Sequence, residues 1–288
     1  MLALSDFTPF DVFALPFMWR ALVTVAVLAV AAGIIGLFIS FRELEFVSDG
    51  LVHAVFPGLV VGAAIGGTEG LLPGAVIAAI LAAVLFTVID HRGGTGTDAA
   101  IAVVLTGLFS LGVVLVSRQD GYVSQLQELL FGRLLTVTEG QLWQIVVVAV
   151  IAVGIVLLNW RAQLFRAFDP AGFAAAGFRP LTTDLTLSVA VALLVVAGVQ
   201  ALGVLMVIAL LTVPMATARL FTRGFALLIP LAILTPLLAG VVGLWLAFDW
   251  SVGAGATVSP GAVVVLLLVA GYGIAALSRV LVRGRRAR

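Results

Sequence analysis

Between residues 19 and 280 the chain is a series of apolar runs separated by short polar punctuation, and no other feature limits its fold as tightly. The runs fall near 19–41, 50–67, 71–89, 99–117, 141–160, 184–199, 201–219, 225–248 and 258–280. A helix rises about 1.5 Å per residue, so roughly 20 apolar residues cross a hydrocarbon core about 30 Å thick. The stretch 184–219 is too long for one crossing, and Val199-Gln200-Ala201 is its expected break. Composition agrees: 63% of residues are hydrophobic and 10% charged, against about 45–50% and 25% in soluble proteins. The chain reads as an all-α polytopic membrane bundle of about nine helices, with eight or ten as alternatives. A single membrane domain covers 1–288, and no linker marks a soluble module.

Arginine placement orients the bundle. With nine spans and the N-terminus outside, the internal loops and span ends hold Arg42, Arg92, Arg161, Arg166, Arg179, Arg219, Arg223, Arg279, Arg283, Arg285, Arg286 and Arg288. Only Arg20, Arg118 and Arg133 fall outside. Cytoplasmic loops carry the excess of basic residues, so the C-terminus is expected inside. Asp6 and Asp11 precede the first basic residue, Arg20. A secretory signal begins with a positive region, so no cleavage is expected.

Missing residues exclude several chemistries. All 15 basic residues are Arg, and a P-loop ATPase needs a Lys on the β/γ-phosphates. Schiff-base and kinase chemistry fail for the same reason. With no Cys there is no disulfide or thiolate metal site. The neighbours of His53 and His91 do not form H-E-x-x-H, and G-x-S-x-G is absent. His91, in Asp90-His91-Arg92-Gly93-Gly94, reads as a solvated loop residue. No catalytic residue, resident cofactor or nucleic-acid partner is expected.

Against so few charges, Asp49 and His53 stand out at the start of the second run. Residues i and i+4 share a helix face. Counted from Arg42, Asp49 lies roughly 10 Å and His53 roughly 16 Å into the membrane. A buried Asp costs about 2.5–3.5 kcal/mol on insertion scales, so such residues usually serve a pathway or a partner. Carboxylate with imidazole suits Zn²⁺, Mn²⁺ or Fe²⁺. The alternative is an Asp capping its helix and a His hydrogen-bonded in the bundle. Pro57 lacks an N–H and would free the carbonyl of His53. Gly58, Gly62 and Gly66 form two G-x-x-x-G steps for close packing, with Gly58 and Gly62 opposite Asp49 and His53. A two-fold dimer would bring four ligands together at its axis.

The internal segment 161–182 carries a short helix from Asp169-Pro170 to Gly177, with N-cap, Pro at N1 and a C′ glycine. Phe165, Phe168, Phe173 and Phe178 surround it, and it reads either as a docking knob or as a helix lying on the membrane surface. Gln200 and Gly203 precede a run ending in Pro214-Met215-Ala216-Thr217-Ala218-Arg219, where Pro214 implies a kink. Outside, 126–135 reads as an amphipathic interfacial stretch, and Thr138-x-x-Gln141 as a capping box.

Four stretches together resemble the permease subunits of bacterial ABC importers for zinc, manganese or iron. Ser48-Asp49-Gly50-Leu51-Val52-His53-Ala54-Val55-Phe56-Pro57-Gly58 is similar to the family's G-D-A-L-S-H-A-x-x-P-G, with Ser48, Gly50 and Val52 as departures. Leu130-Phe131-Gly132-Arg133-Leu134-Leu135 is similar to L-F-G-x-I-L, and Asp169 to Gly177 to the D-x-x-x-A-x-x-x-G coupling segment. Gln200 to Gly203 and Pro214 to Arg219 are similar to Q-x-x-G and P-A-A-T-A. The resemblance implies a homodimeric permease in the bacterial plasma membrane, working by alternating access. It also implies a cytoplasmic ATPase docked at Asp169, Pro170, Phe173 and Gly177, and an extracytoplasmic metal-binding protein. Asp49 and His53 would be the ion ligands. A permease for cobalamin or metal chelates and a secondary cation transporter are the alternatives. The first wants a wider pathway with fewer ligands; the second usually shows inverted repeats, which are not evident.

Overall fold

Helix is the only regular secondary structure among the described residues, which are 9–92, 97–117, 122–253 and 258–286 of the computed structural model. Asp6, Gly93, Gly94, Arg118 and Arg288, which entered the reading above, lie outside them. Nine segments among the described residues are long and apolar enough to cross a membrane. The short α1 (Pro9–Val12) precedes α2 (Pro16–Phe41), the first span. The second span joins α3 (Glu45–Ala54) to the first part of α4 (Phe56–Arg92), and the rest of α4 is the third. Then come α5 (Thr97–Val116), α6 (Tyr122–Phe131), α7 (Glu139–Leu158), α8 (Trp160–Phe168) and α9 (Pro170–Ala175). The last four spans are α10 (Pro180–Leu202), α11 (Val204–Phe221), α12 (Phe225–Gly253) and α13 (Pro260–Arg286).

Local chemistry sets the boundaries. Pro16, Pro170 and Pro180 open their helices with a preset φ and no wasted N–H. Thr138 and Gln141 form the expected reciprocal cap at the start of α7, with N···O distances of 3.0 and 3.3 Å. The break in the long apolar stretch falls at Gly203 rather than at Val199–Ala201. Gly203 holds φ +79°, ψ 162°, a conformation a β-carbon would resist, and Gln200 and Ala201 complete the last turn of α10. His91 is exposed but lies in the last turn of α4 instead of a loop. Pro214 is buried inside α11, which continues through it to Phe221.

The core runs along α2 and α10, whose spans are 67% and 72% buried, with half-buried α11 beside them. The spans of α5, α7 and α12 are 22% buried or less and turn Val, Leu and Ile outward, as lipid contact requires. Span alternation gathers Arg42, Arg92, Arg161, Arg166, Arg179, Arg219, Arg223 and Arg279 at one end of the bundle, and leaves Arg20 and Arg133 at the other.

Candidate functional site: an open Asp–His pair and two packed ends

On α3 the buried face is made by Val47, Ser48, Gly50, Leu51, Val52 and Ala54, and Asp49 and His53 are left on the other. His53 Nε2 lies 3.8 Å from Asp49 Oδ1, with side chains 26% and 38% exposed. Metal–ligand bonds of about 2.0–2.2 Å at 90–110° place two donors about 3–3.5 Å apart. A shift of a few tenths of an ångström would therefore let both hold one ion. The edge of Phe109 on α5 flanks the imidazole at 5.4 Å and rests in turn on Phe56. No group of three or more His, Cys, Asp or Glu side chains that could hold a metal ion occurs among the described residues. One chain thus presents a pair of possible donors rather than a complete site.

The three departures from the family pattern all point away from this pair. Ser48 is 2% exposed and donates to the carbonyl of Glu45 at 2.8 Å, and Val52 is 1% exposed. Gly50 faces Phe86, whose Cε2 would lie 2.9 Å from an added β-carbon. They adapt the helix to its core neighbours and leave the Asp49–His53 face unchanged.

Pro57 is buried just beyond Val55, where α3 gives way to α4. Gly58 and Gly62 face the third span: a β-carbon at Gly58 would come within 2.4 Å of the Gly74 carbonyl oxygen, and one at Gly62 within 2.2 Å of that of Gly70. The second and third spans therefore touch backbone to backbone. Gly66 takes no part, because nothing lies within 4 Å of its β-position, and the chain turns at Gly67 with φ +59°. Only the first of the two G-x-x-x-G steps packs as expected.

At the arginine-rich end, Asp169 Oδ1 accepts from the N–H of Gly172 at 2.8 Å, Pro170 opens α9, and Gly177 follows it with φ +83°. The phenylalanines divide differently from the exposed cluster read from sequence. Phe173 is fully buried, stacked on Phe178 at 4.9 Å and edge-on to Phe165 at 5.4 Å, while Phe165, Phe168 and Phe178 are exposed. With Asp169 and Pro170 starting α9, Phe173 lands on its inward face, where it anchors the helix instead of projecting.

Behind α9 lies a charged cluster that sequence reading missed. Arg42, just past α2, donates to Asp184 Oδ1 and, at 3.2 Å, to Gln163 Oε1. Arg166 on α8 donates to both oxygens of Asp184, each at 3.2 Å. Gln163 is completely buried and donates onward to the carbonyl of Thr183 at 2.8 Å. Burial pushes the Arg42 guanidinium below its ordinary pKa, against the pull of the Asp184 carboxylate. The available signal was Asp184 itself, a carboxylate at the mouth of an apolar run.

At the opposite end the other two motif stretches pack together. Gly132 (φ +72°) and Gly203 approach so closely that a β-carbon on either would lie within 2.5 Å of the other's backbone, and Arg133 N donates to Ala201 O at 3.0 Å. Arg20 Nε donates to the carbonyl of Val137 at 2.8 Å. Beside this junction a cavity of about 30 Å³, bordered by Arg133, Thr136, Gln141, Gln144 and Gln200, faces the otherwise unpartnered Gln200 Nε2.

A bundle with nine apolar spans among its described residues, an Asp–His pair on the second and closely packed ends is the architecture of a multi-pass membrane protein. The chain belongs to the ABC 3 transport family, which it matches over residues 14–274. It is 28% identical over 240 residues to the manganese transport system membrane protein MntC of Listeria monocytogenes serovar 1/2a, covering 83% of this chain and 85% of that one. Over 268 residues it is 27% identical to a Haemophilus influenzae protein named "Probable iron transport system membrane protein", covering 93% and 96%. The structure of PsaBC from Streptococcus pneumoniae in complex with Fab superposes with a TM-score of 0.80 at 25% identity, covering 93% of this chain and 94% of that one. The resemblance carried by motifs between Ser48 and Arg219 thus extends over residues 14–274 of a multi-pass protein of the bacterial plasma membrane.

Proposed function

We propose that this chain is the pore subunit of an ATP-driven importer for a divalent transition-metal ion, with Mn²⁺ or Fe²⁺ as cargo. The observation that carries the reading is the Asp49–His53 pair, set 3.8 Å apart and left half-open on the second apolar span. The names of the manganese and iron relatives support the choice of cargo. An oxygen–nitrogen donor set without sulfur suits these ions. Two copies facing across a two-fold axis would supply two carboxylates and two imidazoles, replacing part of the ion's hydration shell during passage.

The arginine-rich end is cytoplasmic in this reading, as the positive-inside rule requires. There the ATPase docks against α9, held by its Asp169 cap, its Pro170 start, the buried Phe173 and the Gly177 turn. An extracytoplasmic metal-binding protein delivers the ion at the end where Gly132 meets Gly203. The ATPase cycle then exposes the pair to each side in turn.

The test is radiolabelled Mn²⁺ and Fe²⁺ uptake in cells that depend on this transporter. Asp49→Ala is expected to reduce uptake at least about tenfold, the effect of losing about 1.4 kcal/mol of ion stabilisation, while membrane abundance is unchanged. Unchanged uptake and unchanged cytosolic metal would remove Asp49 from the pathway.

A further inference from the structure

We propose that the buried Arg42–Asp184–Arg166 cluster is the mechanical link between the ATPase-docking segment and the helix that carries the ion ligands. The inference rests on the pore reading above and adds positioning residues to it. Asp184 stands in the second turn of α10, and its side chain is only 7% exposed. Arg166 grips it from α8 with two hydrogen bonds, a fork that resists rotation as well as separation. Arg42 takes the same carboxylate from the end of α2. Gln163 adds a second strap from α8, bonded to Arg42 on one side and to Thr183 O and Thr186 Oγ1 on the other.

Each end of this cluster continues without slack into a functional element. Phe168 ends α8 and Asp169 caps α9, so a displacement of α9 moves α8 with it. On the other side Arg42 stands three residues before Glu45, where α3 begins. The intervening turn is tight: Glu43 holds φ +55°, and Leu44 N donates to Ile39 O at 2.9 Å. Phe41 repeats the connection with apolar atoms, its ring 5.4 Å from that of Phe168.

The chemistry suits a transmission better than a hydrophobic contact would. Apolar surfaces slide over one another at little cost. A two-bond fork on a desolvated carboxylate holds one geometry and resists such sliding, so the three elements move together.

The experiment reconstitutes the full complex, permease with its ATPase and binding protein, in proteoliposomes and measures Mn²⁺ uptake and ATP hydrolysis in parallel. Arg166→Gln removes the fork while Arg42 still neutralises Asp184. It is expected to assemble and hydrolyse ATP but to move about tenfold fewer ions per ATP, within the usual range for a coupling free energy between sites. Arg166→Lys keeps the charge without the fork and is expected to fall between. A proportional loss of uptake and hydrolysis, or no change in either, would overturn the link. Because the chain has no Cys, spin labels at Glu43→Cys and Arg161→Cys add a readout that needs no transport. Their separation should stay constant on ATP binding in the otherwise native complex and change in Arg166→Gln. A change in both, or in neither, sinks the proposal. If the native complex hydrolyses ATP without moving Mn²⁺, the pore reading fails and the label distances still decide the link.

Discussion

Asp184 is the residue on which the arginine-rich end is built, because two guanidiniums rely on one carboxylate that is almost wholly buried. Asp184→Ala leaves both uncompensated and is expected to cost about 3–5 kcal/mol, seen as lost membrane abundance and a lower melting temperature in detergent. Gly50 makes a smaller demand. Alanine there presses on the buried Phe86 and should cost about 1–3 kcal/mol, in the range for overpacking, measured by the same thermal scan. Asp49 and His53 were legible in the sequence because ionisable groups are rare within apolar runs. Asp184 was not, since nothing local says that its partner is Arg42, 142 residues away.

Among the elements, the second and third spans depend on the absence of side chains between them. Gly62→Val should force them apart, lowering the melting temperature by several degrees through a loss of about 2–3 kcal/mol, whereas Gly66→Ala should be neutral to within about 0.5 kcal/mol. Parallel thermal scans of the two variants check the pair. The glycine spacing was plain in the sequence and predicted close packing. Which of its steps packs was not, because the chain turns at Gly67 before Gly66 can reach the third span. The capping box at Thr138 and the short helix after Asp169 follow from sequence because caps are made by residues three or four apart. The helix α8 was missed, its polar residues Gln163 and Arg166 reading as a loop until the base of α10 is there to receive them.

For the whole molecule, a two-ligand site in each chain predicts a stoichiometry. The homodimer proposed above should bind one Mn²⁺ per two chains, and His53→Ala should abolish that binding without changing the oligomeric state. Native mass spectrometry of the detergent-solubilised complex checks both. One ion bound per chain would show that the ligands do not meet across an axis.

Hydropathy and helical period are properties of neighbouring residues, which is why nine spans, their approximate limits and the Asp–His pair could be read directly from the order of amino acids. The loss of backbone hydrogen bonds to water makes helix the only economical state for such runs, whatever surrounds them. The meeting of Gly132 with Gly203, the inward turn of Phe173 and the sharing of Asp184 by Arg42 and Arg166 depend instead on which helix faces are brought together. Several faces of each span are equally apolar, so hydrophobicity does not choose among them. The choice falls to close packing of small residues and to a few buried polar groups that must find one another.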